Sequence, residues 1–171
     1  MTDATPEEFP GATPHLCVRS VDMAVRFYRE AFDADELTRA SGPDGRVWHC
    51  ELLIAGGRLL LVEEFPDTGT ISPETLGGTP VTLHLFVADT DATYRRALGA
   101  GASALLTPAD AFWGDRYAQI VDPSGHRWSM STRREDLSAD DIAERGDRWR
   151  QERGKPASPG EVPGTMAEGD Q

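Results

Sequence analysis

His15-Leu16-Cys17-Val18-Arg19-Ser20-Val21-Asp22 has a counterpart 69 residues later in His84-Leu85-Phe86-Val87-Ala88-Asp89-Thr90-Asp91. The shared pattern is His-Leu-x-Val-x-x-x-Asp. In both copies a histidine stands in an apolar run, and an aspartate that can start a helix follows it. Such a repeat implies that one supersecondary unit occurs twice and that its copies pack against each other. His15 and His84 then hold equivalent places.

The elements outside the repeat extend the correspondence. Pro14 to Val18 reads as a strand, and Ser20 or Asp22 can cap the helix that follows by accepting a bond from a free backbone N–H. Val21, Val25, Tyr28 and Phe32 fall at helical spacing, which gives that helix one apolar face. Leu37 to Arg39 is a short strand candidate, and Ser41-Gly42-Pro43-Asp44-Gly45 is a turn by composition. Val47 to Ile54 and Arg58 to Val62 read as a hairpin across Ala55-Gly56-Gly57. A proline- and glycine-bearing stretch from Phe65 to Pro80 reads as a linker. Val81 to Val87 then opens the second unit as a strand, and Asp91 to Leu98 forms its helix. Gly99 and Gly101 are placed to end that helix in a left-handed turn. Ala102 to Leu106, Arg116 to Val121 and Arg127 to Thr132 are strands, the last two joined by the turn Asp122-Pro123-Ser124-Gly125.

The predicted fold is therefore α+β, with two βαβββ modules in one continuous domain over residues 13–132. Module one spans 13–64, the linker 65–80 and module two 81–132. Residues 1–12 read as a flexible arm. Residues 133–150 read as a charged extension with one short helix, anchored by Leu137, Ile142 and Trp149. Residues 151–171 carry too few large apolar side chains to offset their ordering entropy and are expected to be disordered.

Composition narrows the function. A net charge of −12 over 171 residues argues against nucleic acid, whose phosphates need a basic face. It suits a cationic guest, although an acidic surface also serves solubility alone. No apolar run approaches the ~18 residues of a membrane span, and the acidic start Met1-Thr2-Asp3-Ala4 is not a secretory signal. Cys17 and Cys50 are the only cysteines, without the spacing of a disulfide framework or a paired-cysteine metal site, which points to reduced thiols and a cytoplasmic location. There is no G-x-S-x-G, no phosphate-binding glycine loop and no evident nucleophile–base pair.

Three motifs carry a family resemblance: Phe27-Tyr28-x-x-Ala31-Phe32, Phe112-Trp113-Gly114-Asp115-Arg116 and Asp122-Pro123-x-Gly125-His126-x-Trp128. With the two-module order, residues 12 to 137 resemble the vicinal oxygen chelate superfamily, in its glyoxalase/bleomycin-resistance branch. The resemblance implies that each module curls its strands into a half-open cup around a small molecule, and that the protein is a homodimer. It also implies a site location without fixing a reaction.

Metal-using members of that superfamily take one ligand from the first strand and one from the last strand of each module. Here the first-strand positions are His15 and His84. The last-strand positions map onto Ser129 and, counted from Gly57, onto Leu61, where the pattern wants carboxylates. A catalytic dication is usually held by three or four protein ligands, so a metal site here would need Glu63, or else Glu51, beside His15 and His84. Two other readings of the histidines stand beside that one. They line the cup and bond a ligand directly, or they are satisfied core residues. Trp113 and Phe112 read as a flap over the cup mouth, with Trp113 either touching the ligand or capping the core. Trp48 is a further aromatic wall candidate, and Trp128, next to Ser129, points toward the helices. Arg116 either pairs locally or binds an anionic group. One of the alternating pairs Tyr117/Gln119 and Arg116/Ala118 faces the cup. His49 and His126 read as exposed.

The ligand-binding set is thus His15, His84, Trp113, Phe112, Ser129 and Trp48. The preferred expectation is a protein that binds a small aromatic or cationic molecule without a complete metal site. The alternative is a metal-dependent lyase, isomerase or dioxygenase using His15, His84 and Glu63. A scaffold acting through the acidic tail has only that tail's charge behind it.

Overall fold

The computed structural model describes residues 11–153. Expectations for an arm and a tail concern mostly residues outside that range. Module one contains β1 (His15–Val18), α1 (Val21–Phe32), β2 (Asp35–Ser41), β3 (Val47–Ile54) and β4 (Gly57–Glu63). Next come a 3-10 turn (Pro66–Thr68) and the short α2 (Pro73–Leu76). Module two contains β5 (Thr82–Phe86), α3 (Thr90–Gly99), β6 (Ser103–Asp110), β7 (Asp115–Val121) and β8 (Arg127–Arg133), and α4 (Ala139–Arg153) ends the described chain.

Two four-stranded sheets have one topology, β1-β4-β3-β2 and β5-β8-β7-β6. In each, the first strand runs parallel to the last and the other pairs are antiparallel. No closed barrel forms. The α+β architecture of two βαβββ units agrees with the sequence expectation.

The helices start two residues earlier than the repeated aspartates suggest. Ser20 accepts from the Met23 N–H, and Asp89 accepts from the Ala92 N–H. Both caps stand five residues past the module's histidine, so the correspondence survives with a different residue in the role. Asp22 and Asp91 instead pair with Arg39 and Arg116. The helix α3 ends on Ala100 in a right-handed conformation, and only Gly101 takes positive φ.

The linker has structure that its prolines and glycines concealed. Ser72 caps α2 through the Thr75 N–H, and the Glu64 carboxylate accepts from the Ser72 N–H at 2.7 Å. The start of α2 then packs under the β7–β8 turn, where a Cβ at Gly125 would stand 2.8 Å from the Glu74 nitrogen. Gly125 also has φ +86°, so both space and conformation require glycine there.

One hydrophobic core spans both modules. The α1 face of Val21, Val25, Tyr28 and Phe32 is buried with Leu16, Val18, Leu52 and Leu61 from the first sheet and Ala118, Ile120, Trp128 and Met130 from the second. Strand alternation therefore directs even positions of β8 to the helices and odd positions to the other sheet face. Among the described residues, no helix is long and apolar enough to cross a membrane.

Candidate functional site

Register defines the face opposite the helices. His84 pairs with Ser129, Ser129 with Gln119, and Gln119 with Leu106. One rung along, Phe86 pairs with Ser131, Ser131 with Tyr117, and Tyr117 with Ala109. Paired residues point to the same side, so these rungs form one wall. Tyr117 and Gln119 are the pair that faces it, while the buried Ala118 faces the helices.

The imidazole of His84 is fixed within this wall. Its Nδ1 lies 2.8 Å from Ser129 Oγ and its Nε2 lies 3.1 Å from Ser131 Oγ. Both ring nitrogens are therefore engaged by serine hydroxyls, which can accept or donate as the tautomer requires. The ring stands edge-on to Phe86 at 4.8 Å and nearly parallel to Tyr117 at 6.3 Å. Tyr117 meets Trp113 at 5.2 Å, and Trp113 meets Phe112 at 4.9 Å, both edge to face. The Gln119 amide donates to the Tyr117 hydroxyl. His84 also borders a cavity of about 730 Å³ that separates β5 from the β3–β4 hairpin, lined by Leu53, Ile54, Leu59, Leu83, Leu85 and Trp128 among others. Of the wall residues only His84 lines this cavity, whose remaining lining includes the core-side Leu83, Leu85 and Trp128.

The corresponding wall of module one is different. His15 pairs with Leu60, Leu60 with Glu51, and Glu51 with Thr38. The partner of His15 is thus Leu60, not Leu61. Counting from Gly57 misses by one because the left-handed glycine that matches Gly125 is Gly56, and each stands four residues before the partner of its module's histidine. Leu61 is fully buried on the helix side. His15 is exposed. Trp48 is 53% exposed at a β3 irregularity, with its indole over Gly42. No ring contact joins it to the His84 wall among the described residues.

Glu63 lies on the opposite face from His15. It pairs in register with the buried Val18, and its two carboxylate oxygens accept from the Val21 and Val47 N–H groups at 3.1 Å each. That carboxylate caps a helix start and a strand start, on the sheet face away from His15. Glu51 does share the face of His15, but it is buried and ion-paired with Arg58. No group of three or more His, Cys, Asp or Glu is placed to hold an ion among the described residues. The donor set of the metal-using family pattern, two imidazoles with two carboxylates, is therefore not matched, since its last-strand places are Leu60 and Ser129.

The other singled-out residues resolve into structure. Arg116 pairs with Asp91 and Asp110, and Asp115 with Arg133 and the Trp113 indole N–H, so Asp115 and Arg116 do not bond each other. The Arg116 pairs hold Asp91 below the usual carboxylate range. His126 is buried rather than exposed, with Nε2 3.0 Å from the Cys17 carbonyl oxygen. His49 is half-buried. Trp128 is 3% exposed and belongs to the core. Sequence reasoning did not single out Phe86 or Ser131. Their signal was the alternation of β5 and β8 about His84 and Ser129, two residues away in each strand.

Comparison with known proteins agrees with the fold. The model of the Glyoxalase/Bleomycin resistance protein/Dioxygenase superfamily matches residues 12–130. Uncharacterized proteins of Mycobacterium tuberculosis and Mycobacterium bovis are 43% identical over 136 residues, which is 78% of this chain and 80% and 90% of theirs. Among solved structures, a gene product of Arabidopsis thaliana has 27% identity and a TM-score of 0.59, with 72% of this chain and 98% of that one covered. TioX from a Micromonospora species has 22% identity and a TM-score of 0.55, covering 75% and 99%. The fosfomycin resistance protein FosX of Listeria monocytogenes, complexed with Mn(II) and sulfate, has 16% identity and a TM-score of 0.59, covering 81% and 98%. The last two likenesses are of fold alone.

Proposed function

From the chain's membership of the glyoxalase/bleomycin resistance protein/dioxygenase superfamily, to which it belongs, we propose that it binds a small aromatic or cationic molecule against the module-two wall. The observation that carries this reading is the His84 imidazole held between two serine hydroxyls and flanked by Phe86 and Tyr117. The paired rungs of that wall carry no carboxylate, lysine or arginine side chain. Aromatic faces attract flat rings and cations, and each such contact is worth roughly 0.5–1.5 kcal/mol. Serine, glutamine and tyrosine groups supply hydrogen bonds that orient the guest.

The same residues fit a metal poorly. A hydroxyl is a weak ligand for a dication, and Leu60 offers no lone pair. No chemical step is therefore assigned to a metal, and the residues proposed for the ligand are His84, Ser129, Trp113 and Phe112, joined by Phe86 and Tyr117. His15 and Trp48 would serve on module one. Further support for a homodimer that completes the cup comes from Phe86 and Leu106, which are 61% and 50% exposed on the wall of a single chain. The two unpaired thiols suit a cytoplasmic setting.

Titration with the neutral fluorophore N-phenyl-1-naphthylamine and with benzyltrimethylammonium tests the reading. At least one should bind, and His84→Ala should weaken it about fivefold, the equivalent of roughly 1 kcal/mol for a lost hydrogen bond or ring contact. Metal content, measured on protein purified without chelator, should be the same in the wild type and the variant. Loss of a stoichiometric metal on His84→Ala would overturn the reading in favour of metal-dependent chemistry. Affinity unchanged by His84→Ala would remove the wall from the site.

A further inference from the structure

We propose that helix α4 positions Trp113 through Phe112, and so sets the affinity of the module-two wall for its ligand. This regulation rests on the ligand reading above. The helix lies outside the two repeated modules, and the segment that follows module one holds only the four-residue α2.

A continuous run of ring contacts joins the helix to the wall. Trp149 on α4 meets Phe112 at 5.5 Å, Phe112 meets Trp113 at 4.9 Å, Trp113 meets Tyr117 at 5.2 Å, and Tyr117 lies parallel to His84. Phe112 is thus held from both sides, with one neighbour on the helix and one on the wall.

Glycine at position 146 has its own reason. In a helix interior glycine costs about 1 kcal/mol relative to alanine. Here a Cβ would stand 3.1 Å from Phe112 Cε2, so the missing side chain lets the helix backbone approach the ring. A bidentate ion pair from Arg145 to Glu135, at 2.9 and 2.8 Å, ties the same turn of α4 to the segment after β8. That segment is itself anchored under the flap. The Arg134 and Glu135 N–H groups both donate to the Gly114 carbonyl, and a Cβ at Gly114 would stand 2.8 Å from the Glu135 oxygen. Helix position and flap position are therefore set by shared contacts. A displacement of α4 moves Phe112, and Phe112 cannot move without disturbing Trp113.

The test uses the full chain with Gly146→Leu, which keeps helix-forming character and forces Phe112 aside, and Trp149→Ala, which removes the outer ring. Protein labelled with 5-fluorotryptophan reports Trp113 by fluorine NMR, assigned through Trp113→Phe. Both variants should shift the Trp113 resonance and change the affinity for N-phenyl-1-naphthylamine at least threefold. In the Trp113→Phe background, Gly146→Leu should change affinity less than twofold, because the coupling runs through that side chain. An unmoved Trp113 resonance, or a full Gly146→Leu effect without Trp113, overturns the inference. If the probe binds the wild type and its affinity ignores both variants, the inference fails while the ligand reading stands. If neither aromatic nor cationic probe binds the wild type, the ligand reading fails and the regulatory role falls with it.

Discussion

The carboxylate of Asp122 accepts from the Ser124 and His126 N–H groups at 2.9 Å, from the Tyr28 hydroxyl at 2.7 Å and from the Trp128 indole at 2.9 Å. This gives the motif Asp122-Pro123-x-Gly125-His126-x-Trp128 its physical content. One residue closes a turn, orients a core indole and receives the Tyr28 hydroxyl from the other module. The same knot has a consequence for alkaline stability. Burial, with Asp122 beside it, pushes the Tyr28 hydroxyl well above its ordinary 10.0. Burial, with Glu64 nearby, pushes the Cys17 thiol from 9.0 up to about 11. Both groups are acids that ionise more readily in the unfolded chain. Their contribution is complete below pH 9 and is lost as pH rises, first for Cys17 between 9 and about 11 and then for Tyr28 above 10. The melting temperature should therefore fall from pH 9 to 11. Cys17→Ser should flatten the first part of that fall. An equally steep decline in Cys17→Ser would show that its thiol is not involved.

At the scale of elements, the sequence was most readable where periodicity was long. The apolar spacing along α1 and the β3–β4 hairpin appear in the structure with shifts of a residue or so at their ends. Short-range chemistry was harder to place. Serine and aspartate both cap helices, so Ser20 and Asp22 competed for one role and the spacing alone could not choose between them. A single residue of register exchanges one sheet face for the other. That is why Leu61 stood in for Leu60, and why Glu63 was grouped with histidines it does not face. His126 escaped because its partner, the Cys17 carbonyl, is a backbone atom 109 positions away in sequence. Phe32 was legible as core, and its surroundings now give the reason. Its ring lies 5.1 Å from Trp128 and 5.7 Å from Phe27. Phe32→Ala should cost roughly 3–5 kcal/mol, because removal of a buried ring adds a cavity to the lost transfer energy. Urea unfolding measures this, and a loss below about 1 kcal/mol would mean that the site collapses around the missing ring.

For the whole molecule, the question is whether the modules are units of folding as well as of pattern. Their contacts argue against it. The Tyr28 and Phe32 rings of module one pack on Trp128 of module two. The Tyr28 hydroxyl bond to Asp122 and the His126 contact with the Cys17 carbonyl cross the same boundary, and Gly125 of module two is seated on Pro73 of the linker. An exposed pair, Arg96 with Asp33 at 2.7 Å, also crosses it, but surface pairs contribute only ~0–1 kcal/mol. Separating the modules would expose at least those two α1 rings, at about 1.5–3 kcal/mol each, and would leave Asp122 without its tyrosine partner. A small domain has only ~5–15 kcal/mol of net stability, and half of one has a smaller core from which to draw. The fragment 11–80 should therefore remain unfolded by itself, with a collapsed amide NMR spectrum. The full chain should unfold in one transition, with tryptophan fluorescence and far-ultraviolet circular dichroism coincident. A dispersed spectrum from the fragment, or two separated transitions in the full chain, would mean that each βαβββ unit carries its own stability and that the shared core joins two finished structures.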